Sequence, residues 1–338
     1  MNILIIESCE KVISIDAPST IVHVRNSCIL AEKLGWDLVS HESEIEKALE
    51  KQYDIIICAY ASPYMKYNNY MRILDNNPDA KLFWLMNDHD VEDNILLRKW
   101  VLKNDKPYHM ICNNPREGYR GWILRKKLNG KTLNDYIQEW HTINLNALIY
   151  EDQMIDKDKS GIVYYGTFRK YRINDLAKYN DAGYFLSTSQ KNHLKFSEAG
   201  ITAQAIGRLA WIEKTNDLFD FNGFHLNEYK YSLYIEDEHT HENYAFMANR
   251  FYECLMNDVI LFYDINCTNT IEKSGFNILP FQIVNNGQEL KEKTDFLNDN
   301  PDKYIELLEY QNRNKQIAMK QKFDVLNEIS DIFYTNNI

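Results

Sequence analysis

Ile162-Val163-Tyr164-Tyr165-Gly166-Thr167-Phe168-Arg169-Lys170-Tyr171-Arg172 carries a strand–turn–cation pattern that points to the architecture of the chain. Its opening residues make a short apolar strand, Gly166 and Thr167 a small-residue turn, and three cations then fall within four positions. Strand, tight turn and cations in that order suit a diphosphate, because backbone N–H groups and fixed positive charge converge at one strand end. Further along, Arg250-Phe251-Tyr252-Glu253 precedes the apolar run Val259-Ile260-Leu261-Phe262. On a helix an i, i+3 pair shares one face, so Arg250 can meet phosphates while Glu253 meets ribose hydroxyls. The alternative is an exposed ion pair of little energetic consequence.

Outward from this stretch the chain alternates short apolar runs with helical ones. Residues 3–6, 55–58, 82–86 and 108–112 read as buried strands, with helices expected around 19–34, 42–51, 66–74 and 91–103. After a polar, charged linker at 151–160 the pattern restarts. Strands are expected at 162–165, 184–186, 231–235, 259–263 and 281–284, with helices near 170–179, 242–257, 286–297 and 302–335. Such alternation predicts an α/β chain of two Rossmann-like, doubly wound halves. Ligands then bind beyond the carboxyl ends of the strands. That rule points to the 166–172 turn, to the start of the 242–257 helix, and to Asn87-Asp88-His89-Asp90 after 82–86. Asp88 is well placed as a general base; the competing reading is that Asp88 or Asp90 caps the next helix.

Composition narrows the function classes. The 338 residues carry a net charge of −11, divided as −2 over residues 1–150 and −9 over 151–338. An acidic whole argues against non-specific DNA binding, which needs local positive charge. One basic cluster stands out: Arg116, Arg120, Arg125, Lys126, Lys127 and Lys131, interleaved with Tyr119 and Trp122. It is either a solvated helix face or a nucleic-acid patch. The six cysteines are scattered with no C-x-x-C spacing, so neither a disulfide framework nor a zinc ribbon is expected. No apolar stretch is long enough to span a bilayer, and the amino terminus reads as a strand rather than a signal peptide. A reduced, cytoplasmic protein is expected.

With these residues in view, the chain resembles the bacteriophage DNA β-glucosyltransferases, a GT-B family of two Rossmann-like domains facing a central cleft. Ala17-Pro18-Ser19-Thr20 is similar to the family's first loop, and Lys81–Asp88 to the strand that ends in its catalytic base. Tyr165-Gly166-Thr167-Phe168-Arg169 resembles its diphosphate turn, and Phe221-Asn222-Gly223-Phe224-His225 its uracil-binding segment. Arg250–Glu253 is similar to its phosphate–ribose grip, and Val284-Asn285-Asn286 before Glu289-Leu290 also matches. Two departures stand out. Arg172 follows Arg169 by three residues where the family has four, and Ile21 stands where the family has an acidic sugar-contacting residue.

The resemblance implies an inverting transferase that moves a sugar from a UDP-sugar to the hydroxymethyl oxygen of 5-hydroxymethylcytosine in double-stranded DNA. The donor is UDP-glucose or a pentose donor such as UDP-arabinose. Asp88 is expected to be the general base, and Arg169, Arg172 and Arg250 to stabilise the departing diphosphate with help from Gly166 and Thr167. Glu253 is expected to hold the ribose, and the backbone at His225 to read uracil. Tyr67, Arg116, Arg120, Arg125, Lys126 and Lys127 are the expected DNA contacts around a flipped base. Glu236-Asp237-Glu238-His239-Thr240-His241 offers Asp237 for Mg²⁺ or Mn²⁺, the alternative being a solvated acidic loop. Residues 1–155 are expected to form the acceptor domain and 156–315 the UDP-sugar domain, with 316–338 a helix returning to the first. A monomer in the cytoplasm of a phage-infected bacterium is expected. Competing readings are a GT-B transferase acting on a glycan or protein, and a non-catalytic nucleotide-sugar binding protein.

Overall fold

The computed structural model describes residues 1–7, 18–40, 42–59, 67–86, 95–113, 115–116, 127, 130–149, 158–166, 168–187, 190–201, 213–215, 218–220, 225–236 and 246–334. The first half runs β1 (Ile3–Ile6), α1 (Pro18–Leu34), β2 (Asp37–Val39), α2 (Ile45–Leu49), β3 (Ile55–Cys58), α3 (Tyr67–Asn76), β4 (Lys81–Met86), α4 (Ile95–Asn104), β5 (Tyr108–Cys112) and β6 (Ile137–Thr142). The six strands form one parallel sheet in the order β2-β1-β3-β4-β5-β6. Successive side chains of a strand point to opposite faces, and here both faces are covered. Ile3, Ile5, Ile55, Ile57, Phe83, Leu85 and Ile111 join one core; Leu4, Ile6, Ile56, Cys58, Leu82, Trp84, Met86 and Met110 join the other. That double burial is why these strands are nearly continuous apolar runs.

The second half runs β7 (Ile162–Tyr165), α5 (Ile173–Ala177), β8 (Phe185–Ser187), α6 (Gln190–Glu198), β9 (Glu213–Thr215), β10 (Leu218–Asp220), β11 (Tyr231–Tyr234), α7 (Asn249–Met256), β12 (Ile260–Asp264), α8 (Thr268–Ser274), β13 (Ile283–Val284), α9 (Gly287–Asp299) and α10 (Pro301–Tyr334). Five strands form a second parallel sheet, β13-β12-β11-β7-β8, while β9 and β10 pair as a small antiparallel ribbon. Every run expected to be a strand overlaps one. The run 281–284 is extended only from Ile283, because Pro280 opens a 3-10 turn ahead of it. The expected fold class, α/β with two doubly wound sheets, is the observed one.

Each sheet has one place where the direction of strand addition reverses, between β1 and β3 and between β7 and β11. These switch points open a crevice beyond the strands' carboxyl ends, where ligands of doubly wound sheets bind. The 34-residue α10, roughly 50 Å long at 1.5 Å per residue, touches both sheets. Its Gln311 accepts from the Leu261 N–H and donates to the Val259 carbonyl. Near its far end Phe333 meets Trp36 and Phe83 edge-on, with ring centroids 5.1 and 4.6 Å apart. Among the described residues no helix is long and apolar enough to cross a membrane.

Candidate functional site

β7 and β11 flank the second switch point, and Arg250 meets the last residue of β7 and the two residues that follow β11. After Tyr165 the chain turns through Gly166 at a φ of +158°, where an added Cβ would lie 2.9 Å from Arg250 Nη2. Only a glycine lets the guanidinium come so close to the backbone. Arg250 Nε donates to the Tyr165 carbonyl at 2.9 Å, and Nη1 to the Ile235 carbonyl at 3.1 Å and to Glu236 Oε1 at 3.0 Å. The guanidinium also lies over the Tyr164 ring, 4.7 Å from its centroid. Arg172 closes the cluster, donating to Glu236 Oε2 at 3.0 Å and to the Tyr164 hydroxyl at 3.1 Å. All three charged side chains are buried, leaving two fixed cations and one carboxylate around Gly166. Arg169 is half-buried one turn earlier.

Glu253 follows Arg250 by three residues on α7, so the helix places both on one face. They do not pair with each other, and neither is exposed; the surface ion-pair reading is thereby corrected. Glu253 Oε1 accepts from Arg25 Nη1 at 3.0 Å and Oε2 from the Tyr165 hydroxyl at 2.7 Å. Burial keeps that hydroxyl protonated far above the ordinary tyrosine range, so Tyr165 serves as a donor. Arg25 comes from α1 of the other sheet, and its Nη2 donates to Asn249 Oδ1 at 3.0 Å. Arg25 Nε is buried without a hydrogen-bond partner.

Sequence reasoning brought out Gly166, Arg172, Arg250 and Glu253, and the structure gathers these with Glu236 and Arg25. Glu236 was read as part of an acidic loop, whereas it bridges two arginines. Arg25 was missed, although one signal was present: a lone cation following Ile21-Val22-His23-Val24 on a helix. Asp88, Thr167, Asp237, Arg120, Arg125 and Lys126 lie outside the described residues. Asp88 follows β4 in sequence, two residues past its carboxyl end. His225 opens a 3-10 turn and Tyr67 opens α3, with side chains outside the description. Of the basic cluster, Arg116 donates to Asn134 Oδ1 at 3.3 Å and is exposed, as is Lys127. Lys131 is engaged by Asp105 and sits 5.5 Å from the Tyr136 ring centroid.

The β-glucosyltransferase of phage T4, in a crystal structure with its UDP-glucose substrate, superposes over 98% of this chain and 99% of that one, with a TM-score of 0.67. The chain has the fold of that enzyme. Identity between the two is 15%, so the likeness speaks for the architecture alone. The T4 protein with UDP and Mn²⁺ matches over the same spans at a TM-score of 0.66 and 14% identity. A further structure, of the DNA modifying enzyme β-glucosyltransferase with and without uridine diphosphoglucose, gives a TM-score of 0.66 at 15% identity. No protein-family model matches the sequence, and no curated protein does. The resemblance drawn from short motifs therefore holds at the level of the fold over nearly the whole chain.

Proposed function

We propose that this protein is an inverting glycosyltransferase that moves a sugar from a UDP-sugar to the hydroxymethyl oxygen of 5-hydroxymethylcytosine in DNA. The observation that carries the reading is the buried Arg172–Glu236–Arg250 cluster around Gly166, at the switch point where such sheets bind ligands. Two guanidiniums fixed in a protected site stabilise negative charge growing on a departing diphosphate, at no reorganisation cost when the bond breaks. Arg169 and the Gly166–Thr167 backbone add donors, and the turn at His225 reads the uracil edge. Glu253, already oriented by Arg25 and Tyr165, accepts from the ribose hydroxyls with its remaining lone pairs.

In this reading Asp88 takes the proton of the acceptor hydroxyl. The oxygen attacks the anomeric carbon as the bond to the diphosphate breaks, and that electron pair leaves with UDP. A single displacement inverts the anomeric centre, and general-base help contributes about 10²–10⁴-fold. The T4 protein has been seen with UDP and Mn²⁺, but Glu236 here spends both oxygens on arginines and suits a divalent cation poorly. No step is routed through a metal, and Asp237 remains a candidate for easing UDP release. Residues 1–155 would receive DNA through Tyr67 and the Arg116–Lys127 region, 156–315 would hold the donor, and 316–338 would tie the two together. The protein would act as a monomer in the cytoplasm of a phage-infected bacterium.

The test is a donor-by-acceptor screen read by nucleoside mass spectrometry. UDP-glucose, UDP-arabinose and UDP-xylose are each combined with DNA bearing cytosine, hydroxymethylcytosine or hydroxymethyluracil. A gain of one hexose or pentose on hydroxymethylcytosine is expected. UDP binding without transfer to any DNA would overturn the DNA acceptor and turn the search to glycans and proteins.

A further inference from the structure

β5 and β6 carry a cluster that the proposed reaction does not use. The two strands pair in parallel with one irregularity: Tyr108 faces Ile137, but Met110 faces Trp140. Between these pairs β5 advances two residues and β6 three, so β6 holds one extra residue opposite His109. Such a bulge re-aims side chains. Ile111 faces His141 across the ladder, so His109 and His141 project from the same face of the sheet. His109 lies flat on Phe83, 4.7 Å between ring centroids with a 19° interplanar angle. Glu139 Oε2 then sits 3.1 Å from His109 Nδ1 and 3.4 Å from His141 Nε2.

These distances are informative. A tetrahedral zinc ion with ligands at about 2.0–2.1 Å has donor atoms roughly 3.3–3.4 Å apart along each edge. Two of the three edges thus stand within a few tenths of an ångström of that figure, and all three donors lie within 4.8 Å of one another. Hydrogen bonding accounts for the cluster less well. His141 Nε2 is buried, and its approach to Glu139, at 3.4 Å, is long for a hydrogen bond. A cation would satisfy all three donors together. The imidazole side chains are 14% and 21% exposed and the carboxylate 54%, which leaves a way in and an open fourth position for water.

We propose that His109, Glu139 and His141 form a three-ligand site for a divalent transition-metal ion. Two imidazoles and one carboxylate favour Zn²⁺ among the common ions, and exclude Mg²⁺ and Ca²⁺, which prefer all-oxygen shells. The site clamps the edge strand β6 to β5. The cluster belongs to β5 and β6 of the first sheet, whereas the sugar donor is proposed to bind at the β7–β11 switch point of the second. The role is therefore structural, and independent of the transfer reaction.

The test uses the full chain, stripped with a chelator and titrated with Zn²⁺ by calorimetry and with Co²⁺ by visible absorption. One equivalent is expected to bind, with the intense visible bands of tetrahedral Co²⁺, and Zn²⁺ is expected to raise the Tm. Glu139→Gln, a mild change at an exposed side chain, should weaken binding by more than about tenfold. His141→Ala should abolish the bands, while His193→Ala, on another element, should leave them unchanged. Weak octahedral Co²⁺ spectra, or Zn²⁺ affinity unaltered by both Glu139→Gln and His141→Ala, would overturn the site and leave a hydrogen-bonded trio.

Discussion

Removing Arg25 gives the sharpest test of how the two sheets are joined. Arg25 Nη1 lies 3.0 Å from Glu253 Oε1, with side chains only 5% and 11% exposed. At an effective dielectric near 20, unit charges at that separation attract by about 5.5 kcal/mol before desolvation is counted. Dehydrating both ions takes back much of this, so the pair's net worth is small. Breaking it is another matter, because the surviving charge stays buried without its partner. Arg25→Met keeps the apolar stem and should lower the unfolding free energy by about 3–5 kcal/mol. Glu253→Gln should cost a similar amount for the same reason. The double variant leaves no orphaned ion, so the two costs should not add, and a coupling energy of about 2–3 kcal/mol is expected. The assay is urea unfolding of the four proteins at pH 7. A coupling energy below about 0.5 kcal/mol would show that the two charges are not in buried contact, since such charges cannot act independently.

Other consequences follow from single contacts. Gly166→Ala puts a Cβ 2.9 Å from Arg250 Nη2, so UDP affinity should fall about tenfold, or about 1.4 kcal/mol; an unchanged Kd by calorimetry would separate Gly166 from donor binding. Asp88→Asn should lower turnover by about 10²–10⁴-fold with UDP affinity intact, and undiminished turnover would remove Asp88 as the base. Burial pushes the Cys58 and Cys254 thiols up to about 12. The native state therefore holds protons that the unfolded chain releases from about pH 9 upward, and stability should drain away as pH rises by up to about 1.4 kcal/mol per unit for each thiol. A urea midpoint that stays flat from pH 9 to 11 would contradict this sign.

What could be read in advance, and what could not, divides along a physical line. β1, β3, β4, β5, β7, β11 and β12 are covered on both faces, so burial writes itself into every position as an apolar run. β6 was overlooked because it is an edge strand: Ile137-Gln138-Glu139-Trp140-His141-Thr142 carries charge and an extra residue where one side meets water. β2 is three residues long and β9–β10 is a short ribbon, too brief for any period to show. At the site, the spacing of Arg250 and Glu253 told which face of a helix they share, a property of local geometry. Their partners are another kind of fact. Arg25 is distant in the chain from Glu253, and only the placing of α1 against α7 brings it within 3.0 Å. Glu236 shows the same limit more sharply. Its neighbours Asp237 and Glu238 made it look like a solvated or metal-binding acid, because flanking residues report only a side chain's own local company. What neutralises Glu236 is set by sheet topology: β11 lies beside β7, so the residue after one strand meets the turn after the other. A buried charge is defined by its counter-charge, and that partner is chosen by the fold rather than by the sequence on either side.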